Sequence, residues 1–492
     1  MIPKGIPTSG DTALELSFSR VQSWISECLE NHTCSPPTTQ PLLPTRILDI
    51  SNSTVQLAEG KGRCGRYVCL SHRWGNGWTI RTIKETVKSY GLNIQWEELS
   101  KTFQDAITFT RRLGISYIWI DSLCIIQDDP GDWHRESCKM ATIYKNAFVT
   151  LAATTSNGGS SGMFSRVPGC TIEGTTSSGH TFQIHFRKAP RHLLYELDPE
   201  LFPLLERGWV YQERLLSSRV IHFGAHELSW ECAESVNCEC RASKSSPLEA
   251  PKIAHRKALT TANSSVAAKR WRAVVSEYTT LQLTRSSDRL VALSGIADDF
   301  KSCRSDRYLA GLWEGSLVLD LLWHCVDRKL KPREKSAPSW SWASINSAIS
   351  YHTAENSIQK QFAQVVAVDC NQVSQITPSG YMVISSQLVQ LPIQLHQFAG
   401  VNFSNTFYPD YIGTSRLIKR GLLHGLLIAR TEDAEVSLVL KRLSFESSTF
   451  ERVGILRICP FGSEWFYNLT RWRACLYGVG YEEANKSTVV IL

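Results

Sequence analysis

No stretch of this chain approaches the roughly 18 uninterrupted apolar residues that a membrane-crossing helix needs, so no membrane span is expected. The opening MIPKGIPTSGD lacks the apolar core of a signal peptide, and a cytoplasmic location is the expectation. Basic runs and basic helix faces are missing as well. The net charge of +7, from 53 basic and 46 acidic residues, is mild over 492 residues, and nucleic acid is not an expected partner. There is no G-x-S-x-G elbow and no Walker loop, the signatures of α/β-hydrolase and P-loop chemistry. No internal repeat is evident.

What is present reads as a globular chain. Hydrophobic residues make up 42% and charged residues 20%. The length exceeds what one compact core holds and suggests two or three domains. Fifteen tryptophans include Trp119, Trp209, Trp230, Trp313, Trp323, Trp340 and Trp342 inside apolar motifs, where large core fillers are the favoured reading. Fifteen cysteines without an export signal read mostly as free, buried thiols.

Apolar spacing divides the chain into four parts. Residues 1–45 hold a helix over 12–32, with Leu14, Phe18, Val21, Ile25, Cys28 and His32 in one stripe, and a Pro/Thr-rich strap. Residues 46–240 form an α/β core. An edge strand at 46–57 is followed by strands at 67–71, 116–121 and 148–153, with helices at 99–113 and 130–147 between them. Gly114 is expected to stop the first helix. Strand, helix, strand, helix, strand implies a parallel sheet flanked by helices. The segment TTSNGGSSGMFSR reads as a mobile loop, 180–187 as a strand and 219–232 as a hairpin. Residues 241–335 are a helical region entered through a polar loop at 241–263. Residues 336–492 are a β-rich C-terminal region.

The densest information lies in ISYIWIDSLCIIQDDPGDWHRESCKMATIYKNAFVTLAA, residues 115–153. The apolar run at 117–120 ends at Asp121, and ligands of open α/β sheets bind at the carboxyl ends of strands. Asp121, Cys124 and Gln127 therefore fall where chemistry is expected. Ser71, His72, Arg73, Trp74 and Gly75 end another strand and should meet them at one rim. The turn Gly75-Asn76-Gly77 with Arg73 is a candidate phosphate cradle; the alternative is a structural turn with Arg73 paired to Asp121. In the helix at 130–147, Asp129 is the expected cap, and Trp133, Ser137, Met140, Tyr144 and Ala147 face the sheet, with Glu136 beside them. Gln212-Glu213-Arg214 sits between apolar residues, so an internal Glu213–Arg214 pair is favoured over a catalytic carboxylate. Cys124 as a nucleophile is disfavoured against a small core residue. Cys28, His32 and Cys34 give C-x3-H-x-C, and with Cys232, Cys238 and Cys240 could surround zinc; packed thiols are the favoured reading, and no metal is expected.

Three motifs carry a family resemblance: YVCLSHRWG at 67–75, YIWIDSLCIIQDDPGDWHRESCKMATIY at 117–144 and RGWVYQERLLS at 207–217. In this order they resemble the fungal heterokaryon-incompatibility (HET) domain family, with His72 where the family more often has Tyr. Weaker likeness continues in DRLVALSGIAD, YLAGLWEGSLVLDLLW and APSWSWAS. The resemblance implies a core like that of Toll/interleukin-receptor (TIR) domains, some of which cleave NAD. It also implies a role in non-self recognition and programmed cell death, with a protein partner encoded by an incompatible allele or locus and a candidate homo-oligomer. NAD is then a substrate and not a resident cofactor. In strand order, the glutamate-bearing helix of TIR enzymes should follow FVTLAA, yet TTSNGGSSGMFSR holds no Glu or Asp. The catalytic carboxylate is therefore sought among Asp121, Glu136 and Glu213, with Ser71, Arg73, Trp74, Gly75, Cys124, Gln127, Gln212 and Arg214 as ligand-binding candidates. The alternatives are a non-enzymatic signalling module and a HET-type protein recruited to secondary-metabolite biosynthesis.

Overall fold

The structure, a computed structural model, describes residues 10–34, 40–75, 80–167, 170–186, 200–240, 250–261, 263–327, 331–334, 337–351, 358–371, 379–391, 407–412, 414, 417, 423–431, 434–444, 446–458 and 484–492. The chain divides into two compact units, Met1–Thr260 and Thr261–Leu492.

The first unit is built on an eight-stranded sheet. Its strands are β1 (Arg46–Asp49), β2 (Gln56–Glu59), β3 (Val68–Ser71), β4 (Tyr117–Ile120) and β5 (Val149–Ala152), then, after a separate hairpin of β6 (Cys170–Thr175) and β7 (Thr181–Phe186), β8 (Arg219–Phe223), β9 (Leu228–Cys232) and β10 (Val236–Cys238). The spatial order is β10-β9-β8-β5-β3-β4-β1-β2. The four central strands are parallel, as expected. The sheet as a whole is mixed, because β1 and β2 at one edge and β9 and β10 at the other run antiparallel. Short hairpin turns join these edge pairs, and a hairpin can only produce antiparallel neighbours.

The helices are α1 (Glu15–Asn31), α2 (Val87–Tyr90), α3 (Lys101–Arg112), α4 (Asp121–Cys124), α5 (Pro130–Ser137), α6 (Met140–Asn146), α7 (Gly208–Leu216) and α8 (Pro251–Thr260). Ser100 caps α3 by accepting from the Phe103 amide at 3.4 Å. Phe103, Ala106, Ile107 and Thr110 bury one face of α3. The helix stops at Gly114, whose φ of +71° is a conformation that glycine adopts without penalty. Val68, Leu70, Ile118, Ile120, Val149, Leu151 and Ile221 are fully buried in the sheet. Each such side chain contributes about 1.5–3 kcal/mol relative to exposure.

Four local expectations change. The helix expected over 130–147 is two helices, because at Lys139 the ladder tightens and its amide donates to Glu136 O at 3.0 Å. The turn after β4 is itself one helical turn, α4. The loop after β5 is tied down: Thr102 Oγ1 donates to Gly159 O at 3.0 Å, and the Met163 amide donates to Asp105 Oδ2 at 2.9 Å. Within the expected polar loop at 241–263, α8 forms, while 241–249 lie outside the described residues. Its buried face carries Lys252 and His255, polar residues that disguised the amphipathic pattern.

The second unit begins with helices Ser264–Thr279 and Val291–Phe300. The expected helical run is interrupted there, since Tyr308–Leu309 and Leu312–Trp313 pair as a short hairpin about Ala310-Gly311, before one more helical turn at Leu317–Asp320. The remainder is β-rich, as expected. Strands Leu423–Thr431, Glu435–Arg442, Thr449–Ile458, Lys486–Ile491 and Ser379–Gln390 are neighbours in that order, and the last also pairs with the first, which closes the sheet into a barrel-like ring. Trp271, Trp313, Trp323, Trp340 and Trp342 are fully buried in this unit, as Trp119 and Trp230 are in the first; Trp209 is half-buried. Core filling is thus what most of the tryptophans do.

Candidate functional site

Chain order and spatial order together locate the site. The four parallel strands follow one another in the chain as β3, β4, β5, β8, but lie side by side as β4-β3-β5-β8. The chain leaves β3 toward β4 and leaves β5 toward β8, in opposite directions, so the carboxyl ends of β3 and β5 form the topological switch point, where open α/β sheets bind ligands. Ser71 ends β3, Asp121 follows β4, and α7 crosses from β5 to β8 carrying Gln212, Glu213 and Arg214.

Ser71 Oγ donates to Glu213 Oε2 at 2.5 Å, and both groups are buried. Burial pushes the Glu213 carboxyl up to about 7, and the charge of Asp121 adds to the rise. The Ser71 hydroxyl, the Arg207 charge and the Tyr144 hydroxyl work the other way. Glu213 is therefore poised between its acid and base forms near neutral pH. It is not paired with Arg214. That guanidinium turns to the buried Glu231, with Nε 2.7 Å from Oε2 and a second bond to Oε1. Burial works against ionising Glu231, but the charge and hydrogen bonds of Arg214, with His222 at 3.2 Å, hold it well below the usual carboxylate range. Arg214 thus belongs to a structural network. The buried Gln212 sits beside Glu213 on the same helix.

Asp121 is the accessible carboxylate of the pair, with its side chain 21% exposed. It accepts from Trp74 Nε1 at 3.1 and 3.3 Å and from the Ser122 amide at 2.7 Å. His72 Nδ1 lies 3.7 Å away. The expected alternative, Arg73 paired to Asp121, does not form; Arg73 is half-exposed and has no side-chain partner among the described residues. His72 is buried edge-on against Phe103 at 5.0 Å, and neither ring nitrogen has a hydrogen-bond partner among the described residues. Burial lowers its proton affinity, so the ring is neutral. Arg207 holds the strand end by donating from Nη1 to His72 O at 2.7 Å.

The rest of the expected constellation divides. Gly75 has φ +76°, and a Cβ there would come within 2.9 Å of Gly158 Cα; glycine is what lets the two loops touch. Asn76 and Gly77 lie outside the described residues, and so does the geometry of the phosphate cradle. Gln127 Nε2 donates to the carbonyls of Asp121 and Ile125 at 3.1 and 3.0 Å, which fixes the turn below Asp121. Cys124 is fully buried, and desolvation raises its thiol to about 12, the setting of a core residue. Glu136 is buried and takes the Lys139 ammonium at 2.9 Å, with no hydrogen bond to Ser71, Asp121 or Glu213 among the described residues. Sequence reasoning passed over Tyr144 and Arg207. The first lay on a stripe read as packing, and the second opens the RGW motif beside Glu213, which was its only signal.

Of the sulfur-rich segments, Cys28, His32, Cys34 and Cys232 bring ligand atoms within 4.8 Å of one another. Cys238 and Cys240 gather instead about Glu227. No helix among the described residues is long and apolar enough to cross a membrane.

A doubly wound α/β domain with a buried Ser–Glu pair and an open aspartate at its switch point is the class of protein this geometry defines. Residues 67–213, from the start of β3 to Glu213, match the family model "Heterokaryon incompatibility protein (HET)", so the chain carries a heterokaryon-incompatibility domain. No curated protein and no solved structure is significantly similar to it.

Proposed function

We propose that the chain is a cytoplasmic allorecognition effector that triggers cell death when incompatible cells fuse, and that its HET domain does so by hydrolysing NAD. The observation that carries the catalytic reading is Glu213, a buried carboxyl raised to about 7 and hydrogen-bonded to Ser71 at the switch point. The TIR likeness called for a glutamate on the helix after β5. The β6–β7 hairpin intervenes in the chain, and the next long helix, α7, bears Glu213. Cleavage breaks the bond between nicotinamide nitrogen and ribose C1′, and the electron pair leaves with neutral nicotinamide. Water adds at C1′ and gives up its proton, yielding ADP-ribose. Asp121, the partly exposed carboxylate, stabilises the positive charge on the ribose, and Glu213 takes the proton through Ser71. Trp74 holds Asp121 in place.

The test is release of nicotinamide and ADP-ribose from NAD by the purified chain. Asp121→Ala and Glu213→Gln should each lower turnover at least about 100-fold, while Glu136→Ala, whose carboxylate is engaged by Lys139, should leave it unchanged. No turnover by the wild type would remove the hydrolase reading.

A second reading, a signalling module that assembles with a protein encoded by an incompatible allele, is favoured by one observation. The β6–β7 hairpin exposes Ile172, Phe182, Ile184 and Phe186, and Ile172 lies directly opposite Ile184. Such a row of exposed apolar side chains marks an interaction surface. Ile184→Lys should abolish association with that protein while leaving NAD turnover intact.

A further inference from the structure

The side chains at the end of α1 and the end of β9 form a site that the NAD chemistry does not use. Cys28 lies in the last turn of α1, and His32, four residues on, caps the end of that helix. His32 ends the helix in an extended conformation, φ −117° and ψ 153°, which redirects the chain so that Cys34 returns to the same point. From the other side comes Cys232, the last residue of β9. The three sulfurs and one imidazole nitrogen lie within 4.8 Å of one another, with His32 Nδ1 3.4 Å from Cys232 Sγ. All four cysteine and histidine groups come from the first unit, and the three thiols are free and buried.

We infer that Cys28, His32, Cys34 and Cys232 bind one zinc ion, tetrahedrally, as a structural staple between the N-terminal helix and the edge of the sheet. Zn–S bonds of about 2.3 Å at tetrahedral angles place sulfurs about 3.8 Å apart, so the ligands need to close in by no more than about 1 Å. Packed thiols alone do not account for what surrounds them. The Ser235 amide donates to Cys232 Sγ at 3.2 Å, the kind of bond that supports a thiolate ligand. Arg219 Nε donates to Cys28 Sγ at 3.3 Å, and its positive charge balances the single negative charge of a Cys3His zinc centre. The loop between the ligands is held from outside. Glu234 Oε1 accepts from the Thr33 amide and from Thr33 Oγ1, both at 2.7 Å, which pins the residue between His32 and Cys34 to the turn after β9. Bound to a dication, all three thiols ionise, and their protons pass to solvent as the metal binds. The filled set, four protein ligands with no open position, is that of a structural site.

The experiment uses the full chain, purified in the presence of reductant. Elemental analysis should find about one zinc per chain. Cys34→Ser and Cys232→Ser should lose it, whereas His32→Cys should keep it by offering a fourth thiolate. The exposed Cys64→Ser and the neighbouring Cys238→Ser should change nothing, which separates this site from the Glu227 cluster. If ligand variants fail to fold, the wild type decides. Replacing zinc by cobalt should give the visible absorption of a tetrahedral, thiolate-rich centre, and chelation should expose three further thiols to titration and lower the melting temperature. A folded, reduced wild type that holds no zinc and develops no cobalt bands would overturn the inference. So would undiminished zinc in both Cys34→Ser and Cys232→Ser.

Discussion

In the proposed hydrolysis, Glu213 ties catalysis and stability to the same proton. Its carboxyl rises from 4.5 in the unfolded reference to about 7, chiefly through burial. Below the unfolded value both states hold the proton. Between about 4.5 and 7 the unfolded chain ionises while the folded chain does not, so stability falls as pH rises through this window, and the loss is complete above it. The ceiling on that loss is ~3 kcal/mol. Glu213→Gln keeps an oxygen to accept from Ser71 but removes the titration. Variant and wild type should therefore unfold at similar denaturant concentrations near pH 4, and the variant should be the more stable by up to ~3 kcal/mol near pH 8. Denaturant melts at the two pH values measure this; an offset that does not change with pH sinks it. The sequence placed Glu213 in a partly buried block but paired it with Arg214. Adjacent residues on a helix point 100° apart, so neighbours in the chain are poor candidates for partners, and the true partner, Glu231, lies 17 residues away on β9.

At the level of elements, what could be read was whatever repeats in the chain. The stripes of α1 and α3 follow the helical period, with Gly114 as the stop signal of α3, and the central strands are unbroken apolar runs. What could not be read is where a polar side chain serves a distant backbone. Lys252 of α8 is buried and donates to Ser217 O at 2.5 Å and to the carbonyls of Arg214 and Leu215, so one ammonium satisfies the open end of α7. Nothing in a polar segment announces that use. The same holds for Arg46, on β1. It donates to Cys124 O at 2.9 Å and pairs with Asp132, which also accepts from the Ile126 amide at 2.9 Å. This buried pair clamps β1 to the turn that carries Asp121. Asp132→Ala leaves Arg46 buried without its counter-charge and should cost about 3–5 kcal/mol. Arg135→Ala, which removes the outer and largely exposed partner of Asp132, should cost under about 0.5 kcal/mol. Chemical denaturation of the two variants compares them directly, and similar losses would mean that the clamp is not what holds the turn.

On the scale of the whole molecule, the β-rich character of the C-terminal half was legible from short apolar runs, but its closure was not. The ring depends on Ser379–Gln390 pairing with Leu423–Thr431, a contact between segments whose separation no local pattern encodes. A buried charge on one of its strands is satisfied by an equally non-local choice. Arg452 is fully buried, faces Asp410 at 3.1 Å and lies 3.4 Å from the Trp323 ring centroid, with the carbonyl of Leu321 at 2.6 Å. Each unit thus satisfies its own core and its own buried charges. The first contains Ser71, His72, Trp74, Asp121 and Glu213 together with the four sulfur and imidazole ligands. Units with separate cores unfold separately. Calorimetry of the full chain should show two transitions, and a fragment of residues 1–260 should unfold cooperatively within a few degrees of one of them. That fragment should also retain the zinc and any NAD turnover, whereas residues 261–492 should have neither. An unfolded 1–260 fragment, or turnover that appears only in the full chain, would show that the second unit completes the first.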